Sequence, residues 1–315
     1  MPARALLALV LPLSCGAMVA TPLRPSSTAA SSASWDAFRA KAMGVIEAHP
    51  VVVGNKYTSW FAKGVASEAQ QKDLVQQFSV FSQLFLIAQL QKIINAPTLE
   101  EMREGKEILA NEIGVVFKPS GGREQAADTV AETTGSVDGG IFKHKAAHFE
   151  WLLDVAEPLG LGFGDLGKRR IGTEATVHFC DELSRLYANE HDATAIAASF
   201  AIENWAAAGF WDDLIAGFRA INEKRSEQHL KKMPVSFWTF HAALEQQHAD
   251  HTIDELQECF EAGRVVDEDE FCRTCVEMLD AVQVFWDGLE AQRHALDEPP
   301  AAKPETLALY SETDF

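Results

Sequence analysis

From Trp35 onward, apolar residues recur at intervals of three and four, the spacing of a helix face and not the alternation of a strand. The clearest case is Ser67 to Asn95, where Leu74, Phe78, Phe81, Leu84, Phe85 and Leu90 share one broad face, so a long helix central to a bundle is expected there. Trp35 to Ala48 carries Phe38, Met43 and Ile46 and should stop at His49-Pro50, because Pro lacks an N–H and crowds the turn before it. Asn55 to Ala62 reads as a short turn or helix closed by Gly64. Thr98 is placed to cap the next helix, with Glu100 and Glu101 in its first turn and Gly114 just past its end. Further helices are expected over Ala146 to Pro158, Thr173 to Tyr187, Asp192 to Asn222, Ser236 to Ala262 and Asp269 to Ala295, with Asp192 and Asp269 as N-caps. The glycine-rich LGLGFGDLG is expected to be a turn between helices. No strand precedes it and no phosphate-cradle pattern opens a helix there.

No segment sustains strand alternation and no unit of 20 to 50 residues repeats. The pattern therefore predicts an all-α bundle of about seven to eight helices, forming one domain over residues 36–296. Residues 118–143, rich in Gly, Ser, Thr and Asp and without periodicity, are expected to be a loop insertion, and 297–315 a loose tail.

A chain of 315 residues can bury a core without disulfides or structural metal. Its net charge of −19 excludes a nucleic-acid partner, which would call for clustered Lys and Arg. Residues 1–35 differ in kind: Arg4, the apolar run Ala5 to Leu13, small residues around Ala17 to Ala20, then a Ser/Thr/Ala-rich stretch without Asp or Glu. This reads as a signal sequence followed by a transit-like segment, an address for a plastid bounded by extra membranes, with the secretory pathway as the alternative. No later stretch is long and apolar enough for a stable membrane span. Four cysteines follow Cys15, and Cys272 and Cys275 fall within a helical pattern, where they read as a helix face and not as a redox or zinc pair.

Candidate chemistry centres on FWTFHAALEQQHADHTIDEL. His241, Glu245 and His248 stand at i, i+4 and i+7, so two imidazoles and a carboxylate share one face of a helix. The same spacing suits a solvated polar face, so partners elsewhere carry the argument. Glu203, within SFAIENWAAAGFW, places a carboxylate among residues that otherwise build core, and an unpaired buried carboxylate would cost several kcal/mol. Glu112 in LANEIG closes one helix, and His148 in HKAAHFEWLLDVAEPLGL opens another.

This ordered set, Glu112 with Gly114, His148 before Leu159-Gly160, Glu203 in AIEN, then His241-x3-Glu245-x2-His248, resembles the haem-oxygenase-like diiron oxidases and oxygenases, whose superfamily includes the TenA thiaminases. The likeness spans Trp35 to Ala295. It implies a haem-oxygenase-like helical bundle, two iron ions held by those six residues, dioxygen as co-substrate, a small organic substrate inside the bundle and an electron donor it does not identify; it leaves room for a homodimer. Three carboxylates with three imidazoles suit Fe(II). Glu245 stands where many relatives carry Asp. The insertion separates Glu112 from His148 more widely than in relatives, which makes His144 and Glu150 the substitutes to consider for Glu112. Two other readings follow from the same superfamily: a metal-free thiaminase-type hydrolase with Cys180 as nucleophile, and a non-catalytic haem or small-ligand binder with His49 or His178 as axial ligand. Tyr57 and Tyr187 are the tyrosines of the helical body. His251 matches no family position and is expected to be solvated.

Overall fold

The structure is a computed structural model, and it describes residues 32–115, 133–134, 141–142 and 147–297. The expected leader, save its last residues, most of the insertion, His144 and the C-terminal tail therefore lie outside the described residues. Within them the chain is helical, as its period predicts: α1 (Ser32–Glu47), α2 (Pro50–Val53), α3 (Lys56–Phe61), α4 (Glu68–Asn95), α5 (Leu99–Glu112), α6 (His148–Ala156), α7 (Glu174–Tyr187), α8 (Asp192–Ala206), α9 (Phe210–Glu227), α10 (Ser236–Glu261) and α11 (Glu268–Asp297). In the insertion, β1 (Thr133–Thr134) pairs antiparallel with β2 (Ile141–Phe142), a two-residue ladder that the sequence pattern does not announce.

Helix starts follow local chemistry. Ser67 and Gln70 form a capping box at the head of α4, each side chain satisfying the other's backbone N–H. His49 ends the first helix as expected, and its Nδ1 then accepts from the Val51 N–H so that Pro50 can open α2, where its missing donor costs nothing. Thr98 accepts from the Glu101 N–H as anticipated. Two expected caps are displaced. Asp192 lies inside the first turn of α8 after His191, and Asp267, not Asp269, accepts the free N–H groups at the start of α11.

One expected helix is two. The segment Asp192 to Asn222 breaks after Ala206, and Gly209 adopts φ +97°, a left-handed conformation that an L side chain would resist. The alanines around the break are good helix formers, so the period runs through it unmarked. The break turns α9 back against α10 and α3, while α8 stays in the centre. All residues from Ala195 to Ala206 are buried, so α8 is enclosed on every side by α10, α11 and α7. Charged or polar groups on such a helix need partners, and Glu203 is one of them.

Candidate metal centre

The six residues expected as ligands line one cavity of about 60 Å³ among α4, α5, α6, α8, α9 and α10. Each arrives from its element for a local reason. Glu112 is the last residue of α5 and His148 the first of α6, so the chain enters and leaves the intervening insertion directly at the cavity wall. Glu203 comes from the enclosed α8, and His241, Glu245 and His248 stack along one face of α10. All are shielded: His148 is 3 %, Glu203 5 %, Glu245 6 % and His241 7 % exposed.

The donor atoms fall into two groups. His248 Nδ1 lies 3.6 Å from a Glu203 carboxylate oxygen and 3.5 Å from one of Glu245, and donor atoms of these three residues lie within 4.8 Å of one another. In the second group His148 Nδ1 stands 2.7 Å from Glu112 Oε2 and 3.3 Å from His241 Nε2. Donors bonded at ~2.1 Å to one ion stand ~3.0 to 3.4 Å apart for right-angle or tetrahedral geometry, which the two groups approach. Among the described residues Glu203, Glu245 and His248 form a group of donors able to hold one metal ion, with Glu112, His148 and His241 beside it on the same cavity wall and no other charged side chain lining it.

A backbone contact aims one of these imidazoles. His241 Nδ1–H donates to the Phe237 carbonyl at 2.7 Å, which leaves Nε2 as the lone-pair nitrogen facing His148. Trp211 stacks on the His241 ring at 4.9 Å and 26°, and Phe237 packs on it at 4.2 Å, so the imidazole has little freedom to rotate.

Electrostatics are those of ionisable groups held close together in a low-dielectric interior. Burial pushes Glu245 up to about 7, aided by the neighbouring Glu203 and Glu112 carboxylates and opposed by His248. Burial pulls His248 down, yet hydrogen bonds to Glu203 and Glu245 outweigh it and raise the imidazole to about 10. Burial also holds His241 well below the usual histidine range, with the adjacent His148 and the more distant His248 acting the same way. The result is an imidazolium at His248 and a neutral imidazole at His241.

Residues proposed for other roles lie elsewhere. Glu150 is on α6 but does not line the cavity, and His251 is exposed. Cys180 is buried away from the cavity, and burial pushes its thiol up to about 12, the opposite of an activated nucleophile. His49 accepts from Val51 N–H and contacts Asp280, and His178 is exposed; neither faces the cavity. Cys272 and Cys275 are free and buried on α11, a helix face as expected. Tyr57 lies buried off the site, whereas Tyr187 feels the charge of Glu203. Sequence reasoning missed the aromatic wall: Phe78, Phe81, Phe85, Trp205, Trp211 and Phe237. Its only signal was aromatic density in the helices that also carry the polar residues.

No protein-family model matches the chain, and no curated protein matches it either. Solved structures do. Two crystal structures of a CADD-like protein of unknown function from Nostoc punctiforme PCC 73102, at 2.00 and 1.35 Å, are similar in shape. The first has a TM-score of 0.54 at 18 % identity over 82 % of this chain and 98 % of that one. The second has a TM-score of 0.51 at 17 % identity over 84 % and 98 %. The likeness is one of fold. It places the chain among helical bundles of this architecture and leaves its chemistry to be argued from its own side chains.

Proposed function

We propose that this chain is a non-haem diiron oxidase or oxygenase that uses dioxygen on a small organic substrate inside a haem-oxygenase-like bundle. One observation carries the reading: six carboxylate and imidazole side chains, far apart in sequence, line one largely apolar cavity, with Glu203, Glu245 and His248 clustered and His148 in contact with both Glu112 and His241. Iron bound there would supply dioxygen activation with hydrogen abstraction or oxygen transfer. The chain's own part is definable. Glu112, His148 and His241 would hold one ion, and Glu203, Glu245 and His248 the other. The Phe237 carbonyl fixes the His241 tautomer, and the aromatic wall excludes water from the reacting volume. Among the described residues Ser82 is the one hydroxyl on the wall, so substrate selection in this cavity would rest on shape and aromatic contact.

The rival readings find less support. A nucleophilic Cys180 would have to be ionisable and reach substrate, and it is neither; a haem would need an imidazole facing a cavity of its own size. Anaerobic titration of the metal-free protein with Fe(II), followed by metal analysis and optical spectroscopy after air exposure, tests the proposal. The expected result is about two irons per chain, falling on His241→Ala or His248→Ala. Retention of no iron by the unaltered chain, or full retention by both variants, would sink it. The plastid address of residues 1–35 belongs to the same proposal and is checked by fusing that segment to a fluorescent protein.

A further inference from the structure

Five of the six cavity residues sit on three helices, α5, α8 and α10, and those helices meet a second time far from the cavity. There the guanidinium of Arg264 lies 2.7 Å from Glu101 of α5 and 2.6 Å from Asp192 of α8, both through the same nitrogen. Arg264 follows the end of α10: Gly263 turns the chain at φ +71°, and the Arg264 N–H returns to the Cys259 carbonyl, which closes the helix C-terminus. The three side chains are 26 %, 9 % and 22 % exposed, so the contact is partly withdrawn from solvent.

The spacing is what gives this contact meaning. Glu112 stands eleven residues after Glu101, and Glu203 eleven residues after Asp192. Eleven residues of α-helix rise ~16 Å and return to within ~20° of the starting direction. Each acid therefore lies on the same face of its helix as the cavity carboxylate it precedes, and at the same height below it. α5 packs mainly on α4, and Arg264 adds a charged tie from its first turn to α8 and the end of α10; a shift of α5 against α8 there would carry along the helices to Glu112 and Glu203. The helix ends agree in sign as well: two acids occupy first turns and one cation follows a last turn, each where the helix dipole favours it. A second cation joins α8 and α10, though not α5, nearer the cavity. Lys92 of α4 lies 2.9 Å from Glu255 of α10 and 3.0 Å from Ser199 of α8, one turn before Glu203.

We infer that Arg264 is a positioning residue that sets the axial register of α5 and α8 on α10, and through it the spacing of Glu112 and Glu203 on which a two-ion centre depends. The inference rests on the metal reading for its purpose and on the helix geometry for its existence, so the test reads both. Full-length Glu101→Gln, Arg264→Gln and Arg264→Lys proteins are compared with the unaltered chain and with Glu290→Gln, which breaks an ion pair to Arg293 within α11. Hydrogen exchange of the metal-free proteins follows the α5 amides over residues 105–112. Cobalt(II) titration with visible absorption follows the two ions.

Glu101→Gln and Arg264→Gln are expected to speed α5 exchange several-fold and to weaken one cobalt site about threefold, since the contact lies about three helical turns from the cavity and touches none of its six residues. Arg264→Lys, which keeps the charge, should restore most of both effects, and Glu290→Gln should change neither. Exchange of α5 in Glu101→Gln and Arg264→Gln that matches the Glu290→Gln control would overturn the inference, as would failure of Lys to restore what Gln loses. If Arg264→Gln does not fold, Glu101→Gln alone decides between these results. Altered exchange in a chain that binds neither cobalt nor iron would refute the diiron reading and leave the register contact standing.

Discussion

His248 is the side chain whose state most depends on its surroundings. With Glu203 and Glu245 at 3.6 and 3.5 Å, its imidazolium occupies the position that suits a metal cation, and its proton must leave before Nδ1 can ligate. Metal uptake near pH 7.5 should therefore release about one proton from this half of the centre, and apparent affinity should climb with pH up to about 10. Calorimetry in buffers of different ionisation enthalpy measures the release directly; uptake with no proton release would contradict this assignment. Of the individual residues, Glu203 was the most legible. A carboxylate within an Ala-rich apolar run declares that it needs a partner, because unpaired burial is so costly. Trp211 was not legible as a stacking partner of His241, since nothing in an aromatic's neighbours says which ring it will meet.

Among elements, the long helices follow from period and the breaks do not. α4 and α10 match their expected extents to within a few residues, because an apolar face of seven turns is a repeated signal. The α8–α9 break hangs on the single left-handed Gly209 and on where α9 finds a partner. Glycines elsewhere separate packing from backbone freedom. A Cβ at Gly217 of α9 would fall 2.4 Å from the Phe61 carbonyl oxygen, whereas one at Gly44 of α1 meets nothing within 4 Å. Gly217→Ala should thus cost about 2 kcal/mol or more by forcing α3 and α9 apart. Gly44→Ala should stabilise by about 0.5–1 kcal/mol, since Ala loses less backbone entropy in a helix. Thermal melts decide, with shifts of a few degrees in opposite directions; equal shifts would mean that α3 does not approach α9 so closely.

In the bundle taken together, site and stability oppose each other. Three carboxylates held in a low-dielectric interior are costly for a chain without bound cations. Glu245, raised from an ordinary 4.5 to about 7, binds its proton more tightly when folded, so folding loses stability as pH rises through that interval and stays lower above it. Glu245→Gln should accordingly melt higher than the unaltered chain at pH 8 in the absence of metal, by on the order of 2 kcal/mol, and show little gain at pH 4. It should also lose the stabilisation that added metal gives the unaltered protein. Equal melting at pH 8, or a gain at pH 4 as large as that at pH 8, would contradict this ledger of charge. The order of helices, the apolar faces, the shared face of His241, Glu245 and His248 and the isolated carboxylate of Glu203 are properties of the sequence, because helix period and the cost of burying a charge act over a few neighbouring residues, whereas Glu112 and His148 entered the set through the resemblance alone. Which carboxylate meets which imidazole, the aromatic wall, the turn at Gly209 and the Arg264 contact belong to packing. They depend on residues tens to more than a hundred positions apart, and only the docking of one helix on another fixes those distances.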